Sequence, residues 1–132
     1  MAAFEETERL GTVLDFAAFP LTLGGVRYRA LDAFGKDRGF LGVVADLAYD
    51  VAGITNKALQ KSLQGTPWAK GMSGKRLSAR ISRHLRLLRE HGLIRKLPNQ
   101  RKYVLTDKGR RLSASVEAAL GASVNGLLRL AA

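Results

Sequence analysis

The 132-residue chain contains no cysteine, and this absence excludes disulfide bonds, thiolate nucleophiles and cysteine-based zinc sites. No apolar run approaches the roughly 20 residues that a membrane-spanning helix requires. The N-terminus, MAAFEETERL, lacks the basic start and apolar centre of a signal peptide. We therefore predict a cytoplasmic protein without membrane contact. Hydrophobic residues make up 46% of the chain, enough for one folded domain with a modest core.

Acidic residues are scarce in one long segment. Residues 70–111 contain 14 lysines and arginines against 2 acids, whereas residues 1–69 contain 7 against 8. The formal net charge of +11 therefore comes from one segment, a distribution typical of a nucleic-acid-binding surface. A solvated helix face or a patch for anionic lipid would also be basic. A membrane-surface helix, however, would carry more large apolar residues opposite its charges.

The basic segment begins with a predicted amphipathic helix over residues 73–92. At 100° per residue, one narrow stripe of this helix is apolar and faces the core: Leu77, Ile81, Leu85 and Leu88. The opposite side contains Lys75, Arg76, Ala79, Arg83, Arg86 and Glu90, with Arg80, Ser82 and Leu87 on the flanks. Gly92 suits the positive φ at which such helices end. The pattern predicts a helix that is anchored by apolar residues and presents arginines to solvent.

Two short strands and another helix are predicted next. Residues 93–97 (LIRKL) and 102–106 (KYVLT) have the composition of strands, and Pro98-Asn99-Gln100-Arg101 joins them into a hairpin with a basic tip. Thr106 is placed to cap a helix over residues 107–130. A basic helix followed by a basic hairpin and a helix is the pattern of a winged helix-turn-helix.

The segment ISRHLRLLREHGLIRKLPNQRKYVLTDKG resembles the recognition helix and wing of bacterial winged-helix DNA-binding proteins, the MarR- and ArsR-type repressors in the broad sense. A looser similarity extends upstream, to bacterial winged-helix proteins with the layout GxTNxxL…LRxLRxHGLIxxxPxxxxYxLTxxG. Residues 53–59 and 85–109 match that layout. The resemblance covers about half of the chain, and it implies double-stranded DNA as the partner.

We therefore predict a single domain over residues 1–132, of the α+β class and mostly α. It comprises an N-terminal helix and an extra β-hairpin (1–35), a winged helix-turn-helix (36–109) and a C-terminal helix (110–132). The N-terminal helix is expected over residues 3–18 and the extra hairpin over 21–29. The sequence leaves two roles open for this hairpin, an oligomer contact and an accessory arm.

Two further helices belong to the predicted DNA-binding unit. The first, over residues 37–52, has one apolar face formed by Phe40, Val43, Val44, Leu47 and Val51. The second, over residues 56–63, is capped by Thr55. About ten residues separate it from the basic helix, more than the usual three or four, and we expect Trp68 and Met72 to fold back on the core.

The C-terminal helix has two alternative partners. In the repressors that the chain resembles, a helix in this position often forms the dimer interface, which implies a homodimer. The alternative is packing on residues 4–17 of the same chain. Gly121 and Gly126 weaken the helix and allow it to split in two.

The predicted DNA contacts follow from these elements. In the proteins that the chain resembles, the helix that corresponds to residues 56–63 meets a phosphate at its start. Arg76, Arg80 and Arg83 lie toward the end of the basic helix that enters the major groove, where arginine reads guanine, whereas Arg86 and Arg89 suit phosphates. The wing tip suits a phosphate or the minor groove. The predicted DNA-binding residues are Thr55, Asn56, Lys57, Lys75, Arg76, Arg80, Ser82, Arg83, Arg86, Arg95, Asn99, Gln100, Arg101 and Lys102.

No set of residues predicts catalysis, a metal site or a cofactor. His84 and His91 lie seven residues apart without cysteine or a carboxylate pair nearby. We expect His84 at the edge of the core and His91 as a partner of the helix dipole at the C-terminus. Asp46 and Asp50 are four residues apart, which is more typical of a solvated helix face than of an acid pair.

The sequence therefore predicts a non-enzymatic, nucleoid-associated protein that binds double-stranded DNA, as a transcriptional regulator occupying an operator. One alternative is the DNA-binding module of a larger recombination or transposition protein. Another is a winged helix whose basic face contacts an acidic protein. RNA is a lesser option, because the basic face lacks aromatic residues for stacking.

Overall fold

The computed structural model describes residues 21–23 and 25–131, and within this part the fold is α+β and mostly helical. The helix predicted over residues 3–18 lies outside the described residues. In chain order the elements are β1 (Leu21–Leu23), β2 (Val26–Tyr28), α1 (Arg38–Leu47), α2 (Asn56–Leu63), a 3₁₀ turn (Pro67–Ala69), α3 (Gly74–Glu90), β3 (Ile94–Lys96), β4 (Tyr103–Leu105) and α4 (Asp107–Ala131). Both predicted hairpins and the predicted helices at 56–63, 73–92 and 107–130 are confirmed, with ends that differ by at most two residues.

Helix α1 is shorter than predicted. It ends at Leu47 instead of reaching residue 52, because two tight turns follow, closed by Asp50 N–H to Leu47 O (3.1 Å) and Gly53 N–H to Asp50 O (3.0 Å). Gly53 has a φ of +70°, which favours glycine. The prediction that Val51 belongs to the core is therefore wrong, since it is 96% exposed, and Leu41 is buried instead.

The core lies where α1, α2 and α3 meet, and α3 contributes the largest share. The predicted stripe of Leu77, Ile81, Leu85 and Leu88 is almost completely buried, and Leu87, which the helical pattern placed on a flank, is also buried. Trp68 is buried and Met72 packs on the core, as predicted for the linker between α2 and α3. The other large core residues include Phe40, Val44, Ile54, Leu59, Leu63, Leu93, Ile94 and Leu112.

The hairpin β3–β4 is attached to the helices by its second strand. β3 and β4 are antiparallel, with Ile94 opposite Leu105. Tyr103 N–H donates to Ile54 O (2.8 Å), so the residue before the cap of α2 forms a bridge beside β4. At the tip, Asn99 takes a φ of +56°, the left-handed conformation that asparagine tolerates in turns.

Helix α4 begins against the base of this hairpin and packs inside the chain. Thr106 caps it as predicted, because its hydroxyl accepts from Gly109 N–H (3.1 Å). A Cβ at Gly109 would collide with the Leu93 carbonyl, so only glycine allows this approach. Leu112 and Val116 are buried within the chain. The helix continues past Gly121 to residue 131, so the split allowed by its glycines does not occur.

Candidate functional site

The exposed side of α3 and the β3–β4 hairpin together present a row of cations, which we call the basic surface. Its members are Lys75, Arg76, Arg83, Arg86, Arg89, Arg95, Lys96 and Arg101, all exposed. In the part of the chain that the structure describes, no carboxylate forms an ion pair with any of them. The guanidinium of Arg86 lies 5.8 Å from the centre of the Tyr28 ring. The basic surface is therefore free to meet an anionic partner.

Arg80 does not belong to this open surface, although the helical pattern placed it among the base readers. Its Nε donates to Trp68 O (3.1 Å), and its guanidinium lies 4.3 Å from the centre of the Trp68 ring. Burial lowers the pKa of Arg80, and the charge of Arg83 lowers it further. Arg80 is thus half-buried beside the linker between α2 and α3, whereas Arg76 and Arg83 are exposed.

Two predicted DNA contacts, Asn56 and Ser82, contact each other instead. The Asn56 amide nitrogen donates to Ser82 Oγ (2.9 Å) and to the Ser78 carbonyl (3.1 Å). Its amide oxygen accepts from Gln60 Nε2 (2.6 Å) and from Ser78 Oγ (3.2 Å). Because both atoms of the amide are occupied, Asn56 fastens α2 to α3 instead of offering its side chain to a phosphate.

At the start of α2, two of the predicted phosphate contacts, Thr55 and Lys57, stay next to the helix N-terminus. Thr55 accepts from Ala58 N–H (3.1 Å), which confirms it as the cap of α2. Lys57 is exposed in the first turn. An exposed lysine at a helix N-terminus, where the helix dipole is positive, is suited to an anion.

Lys102 also has a structural role that the sequence did not indicate. Its ammonium donates to Val51 O (3.3 Å), and its stem packs where a Cβ at Gly53 would lie. Lys102 therefore ties the hairpin to the turn between α1 and α2. At the hairpin tip, Asn99, Gln100 and Arg101 are exposed as predicted.

An ion pair that the sequence did not indicate joins the partly exposed Arg29 to the buried Asp37 beside His84 of α3. Arg29 donates to both oxygens of Asp37, each at 2.7 Å, and Asp32 N–H donates to the same carboxylate (2.8 Å). Burial alone would raise the pKa of Asp37, but the hydrogen bonds from Arg29 and Asp32 outweigh it and lower the pKa. The pair joins the segment after β2 to the start of α1. Nothing in the spacing of Arg29 and Asp37 indicated this contact.

His84 lies at the edge of the core, as predicted, between the aromatic rings and this ion pair. Its Nδ1 is 2.9 Å from the Arg80 carbonyl, which only accepts, so Nδ1 carries the proton. Its ring meets those of Phe40 and Trp68 at centroid distances of 5.5 and 4.8 Å. Burial lowers the pKa of His84, and the charges of Arg80 and Arg29 add to this effect.

His91 has a different role from the one predicted. Its ring is buried, and Nε2 donates to Arg29 O (2.7 Å), so it binds the segment after β2 and not the carbonyls of α3. Asp46 lies in α1 and Asp50 in the turn beyond it. Among the described residues, no group of three or more histidine or acidic side chains is placed to hold a metal ion.

Comparisons with protein-family models, with curated proteins and with solved structures find no match to the chain. Within the described residues, none of the helices has the length and hydropathy needed to cross a membrane.

Replacing Asn56 with alanine tests its role as a fastener. We expect Asn56→Ala to lower the free energy of unfolding by about 1–2 kcal/mol, because it removes the hydrogen bonds to Ser78, Ser82 and Gln60. The neighbouring Lys57→Ala, which removes an exposed side chain, should stay within about 0.5 kcal/mol of wild type. Urea unfolding measures both. Equal stability of the two variants would show that the Asn56 amide does not hold α2 and α3 together.

The environment of His84 predicts a pH dependence of stability. Because the folded protein lowers the pKa of His84, the unfolded chain takes up a proton first as the pH falls below about 6.5, the ordinary histidine pKa. The free energy of unfolding of wild type should therefore decrease below that pH. His84→Asn should lack this component. Urea unfolding from pH 7.5 to 5 measures the difference, and identical pH profiles would contradict the prediction.

Proposed function

We propose that the chain is a winged helix-turn-helix protein that binds double-stranded DNA and regulates transcription without enzymatic activity. The observation that carries the proposal is the basic surface: eight exposed cations on α3 and the β3–β4 hairpin, with no carboxylate paired to them in the described part of the chain. Phosphates supply most of the affinity of proteins for DNA, and unpaired lysines and arginines are what neutralises them.

The order and attachment of the elements support the winged-helix assignment. α1, α2 and α3 pack around one core, and the β3–β4 hairpin follows α3 directly. The bridge between Ile54 and Tyr103 ties the hairpin to the start of α2. The long linker between α2 and α3 contains the Pro67–Ala69 turn, whose Trp68 fills the core, so a longer connection than usual is still compact.

In the proposed complex, α3 lies in the major groove and the hairpin meets the adjoining backbone or minor groove. Arg76 and Arg83 are seven residues apart, so they lie on one face of α3, about 10 Å apart along its axis. Both have the reach to bond guanine edges. Arg86, Arg89 and Arg95 would hold phosphates. Asn56 and Lys102 act by positioning α2 and the hairpin, and Arg80 is held against Trp68.

A homodimer through α4 remains a prediction. The first half of α4 is used inside the chain, where Leu112 and Val116 are buried. If a dimer forms, the bound site would be palindromic, with half-sites about one helical turn apart.

A charge-matched pair of variants tests the proposal. We expect Arg76→Gln with Arg83→Gln to weaken binding to a duplex selected from a random pool by at least about tenfold, because two groove contacts are lost. Arg110→Gln with Arg111→Gln removes the same charge from exposed positions on α4 and should change the affinity less than about threefold. Fluorescence anisotropy at 0.15 M salt measures both, and circular dichroism confirms that each variant is folded.

The salt dependence adds a second readout. With six to eight phosphates neutralised, log K of wild type should fall against log salt with a slope of about −5 to −7. Equal losses in both double variants would show a diffuse charge effect without a defined site. Unchanged affinity in Arg76→Gln with Arg83→Gln would contradict DNA binding through α3 and favour a protein partner for the basic surface.

A further inference from the structure

We propose that the β1–β2 hairpin is an accessory arm of the basic surface, and that its Tyr28 positions Arg86 to bind a phosphate of the duplex. The guanidinium carbon of Arg86 lies over the Tyr28 ring, 5.8 Å from its centre. This distance is within the range of a cation–π contact. The inference rests on the proposed function, and it assigns Tyr28 as a positioning residue that acts through Arg86.

The segment that contains Tyr28 is anchored at the next residue, Arg29. The Arg29 carbonyl accepts from His91 Nε2 (2.7 Å), just after the end of α3. The Arg29 guanidinium donates to both oxygens of Asp37 (2.7 Å each), at the start of α1. Its Nη2 also lies 3.4 Å from His84 Nε2, on α3. Because the backbone and the side chain of Arg29 are both held, the base of the arm has a fixed place beside α3.

The Tyr28 ring lies between the core and the exposed side of α3. Tyr28 is half-buried and packs against the buried residues of the core. Its backbone belongs to β2 and is paired with Leu21 of β1. Arg86 on α3 is exposed. The ring is therefore held beside the Arg86 side chain in the folded protein before any DNA is bound.

The arm and the β3–β4 hairpin are attached to different sides of α3. α2 contacts α3 at Ser78 and Ser82, and Ile54, just before α2, forms the bridge to β4. Arg29 contacts α3 at His84. His84 lies six residues after Ser78, which turns it by about 120° around the axis of α3. The basic surface is therefore bordered by the β3–β4 hairpin on one side and by the arm on the other.

An ordered guanidinium binds a phosphate better than a mobile one. Arginine loses rotamer freedom when it is immobilised against a partner, and this loss weakens binding. The Tyr28 ring restricts Arg86 in the free protein, because the cation is attracted to the face of the ring. Arg86 nevertheless remains exposed and can bond a phosphate. Part of the ordering of its side chain is therefore complete before the duplex binds.

A set of tyrosine variants tests the role of the ring in DNA binding. Tyr28→Leu keeps an apolar side chain but removes the ring, and we expect it to weaken binding to the selected duplex about threefold to fivefold. If this variant is unfolded, Tyr28→Val, which suits a strand, takes its place. Tyr28→Phe keeps the ring and should bind within about twofold of wild type. Tyr49→Leu is the matched control: it makes the same change at an exposed tyrosine in the turn after α1 and should bind like wild type. Fluorescence anisotropy measures the affinities, and urea unfolding confirms that each variant is folded.

A double-mutant cycle shows whether the ring acts through Arg86. Arg86→Gln should weaken binding at least as much as Tyr28→Leu, because it removes the phosphate contact itself. In the Arg86→Gln background, Tyr28→Leu should change the affinity less than about 1.5-fold, since no guanidinium is left to position. A ring that supports the fold without acting on Arg86 would give the same loss in both backgrounds.

NMR of the free protein measures the positioning without DNA. The ¹⁵N heteronuclear NOE of Arg86 Nε should show a more ordered side chain in wild type than in Tyr28→Leu. Tyr49→Leu should match wild type in this measurement, because its ring is not near Arg86 in the described contacts.

Three results would overturn the inference and leave the proposed function intact. The first is an equal affinity of folded Tyr28→Leu and Tyr28→Phe for the duplex. The second is the same loss from Tyr28→Leu in the Arg86→Gln background as in wild type. The third is an Arg86 Nε that is equally mobile in wild type and in Tyr28→Leu. A wild-type protein that binds no duplex would instead contradict the proposed function, and the inference would fail with it.

Discussion

The burial of one stripe of α3 is the constraint on which the rest of the structure depends. Leu77, Ile81, Leu85 and Leu88 all face the core, and helical geometry then directs every arginine of α3 except Arg80 outward. Rotating α3 to hide those arginines would expose four apolar side chains, at a cost of about 1.5–3 kcal/mol each. The packing of the core therefore determines which side of α3 is exposed and basic. Because acids are scarce in this segment, the basic side chains there have few carboxylates to pair with.

Polar contacts determine where the neighbouring elements lie relative to α3. The Asn56 amide fixes α2 through Ser78 and Ser82, and Lys102 fixes the β3–β4 hairpin through the Val51 carbonyl. Asn56, Ser82 and Lys102 were predicted as DNA contacts because they are polar and belong to elements that meet DNA in the proteins that the chain resembles. In the structure these side chains hold α2 and the β3–β4 hairpin in place beside α3. The geometry of the basic surface therefore depends less on the partner.

The local sequence pattern predicted well the features that depend on a single helix or hairpin. The extent of α3, the strands after it and the capping by Thr55 and Thr106 follow from local pattern, and all are confirmed. Contacts between elements distant in the sequence were not predictable, because helical spacing shows which face a residue occupies and not what lies opposite. The position of Arg80 on Trp68 and the pair of Arg29 with Asp37 depend on such contacts. The end of α1 before Val51 was missed for another reason: the apolar pattern continues through two local turns that break the helix.

The most direct measurement of the proposed function is residue-by-residue NMR during titration with a selected duplex. Binding through α3 predicts shifts at the guanidinium groups of Arg76 and Arg83 and at the backbone of the hairpin tip, residues 98–101. The signals of Arg110 and Arg111 on α4 should move much less. Shifts centred on α4 or on the β1–β2 hairpin, with Arg76 and Arg83 unaffected, would contradict the claim that α3 enters the groove.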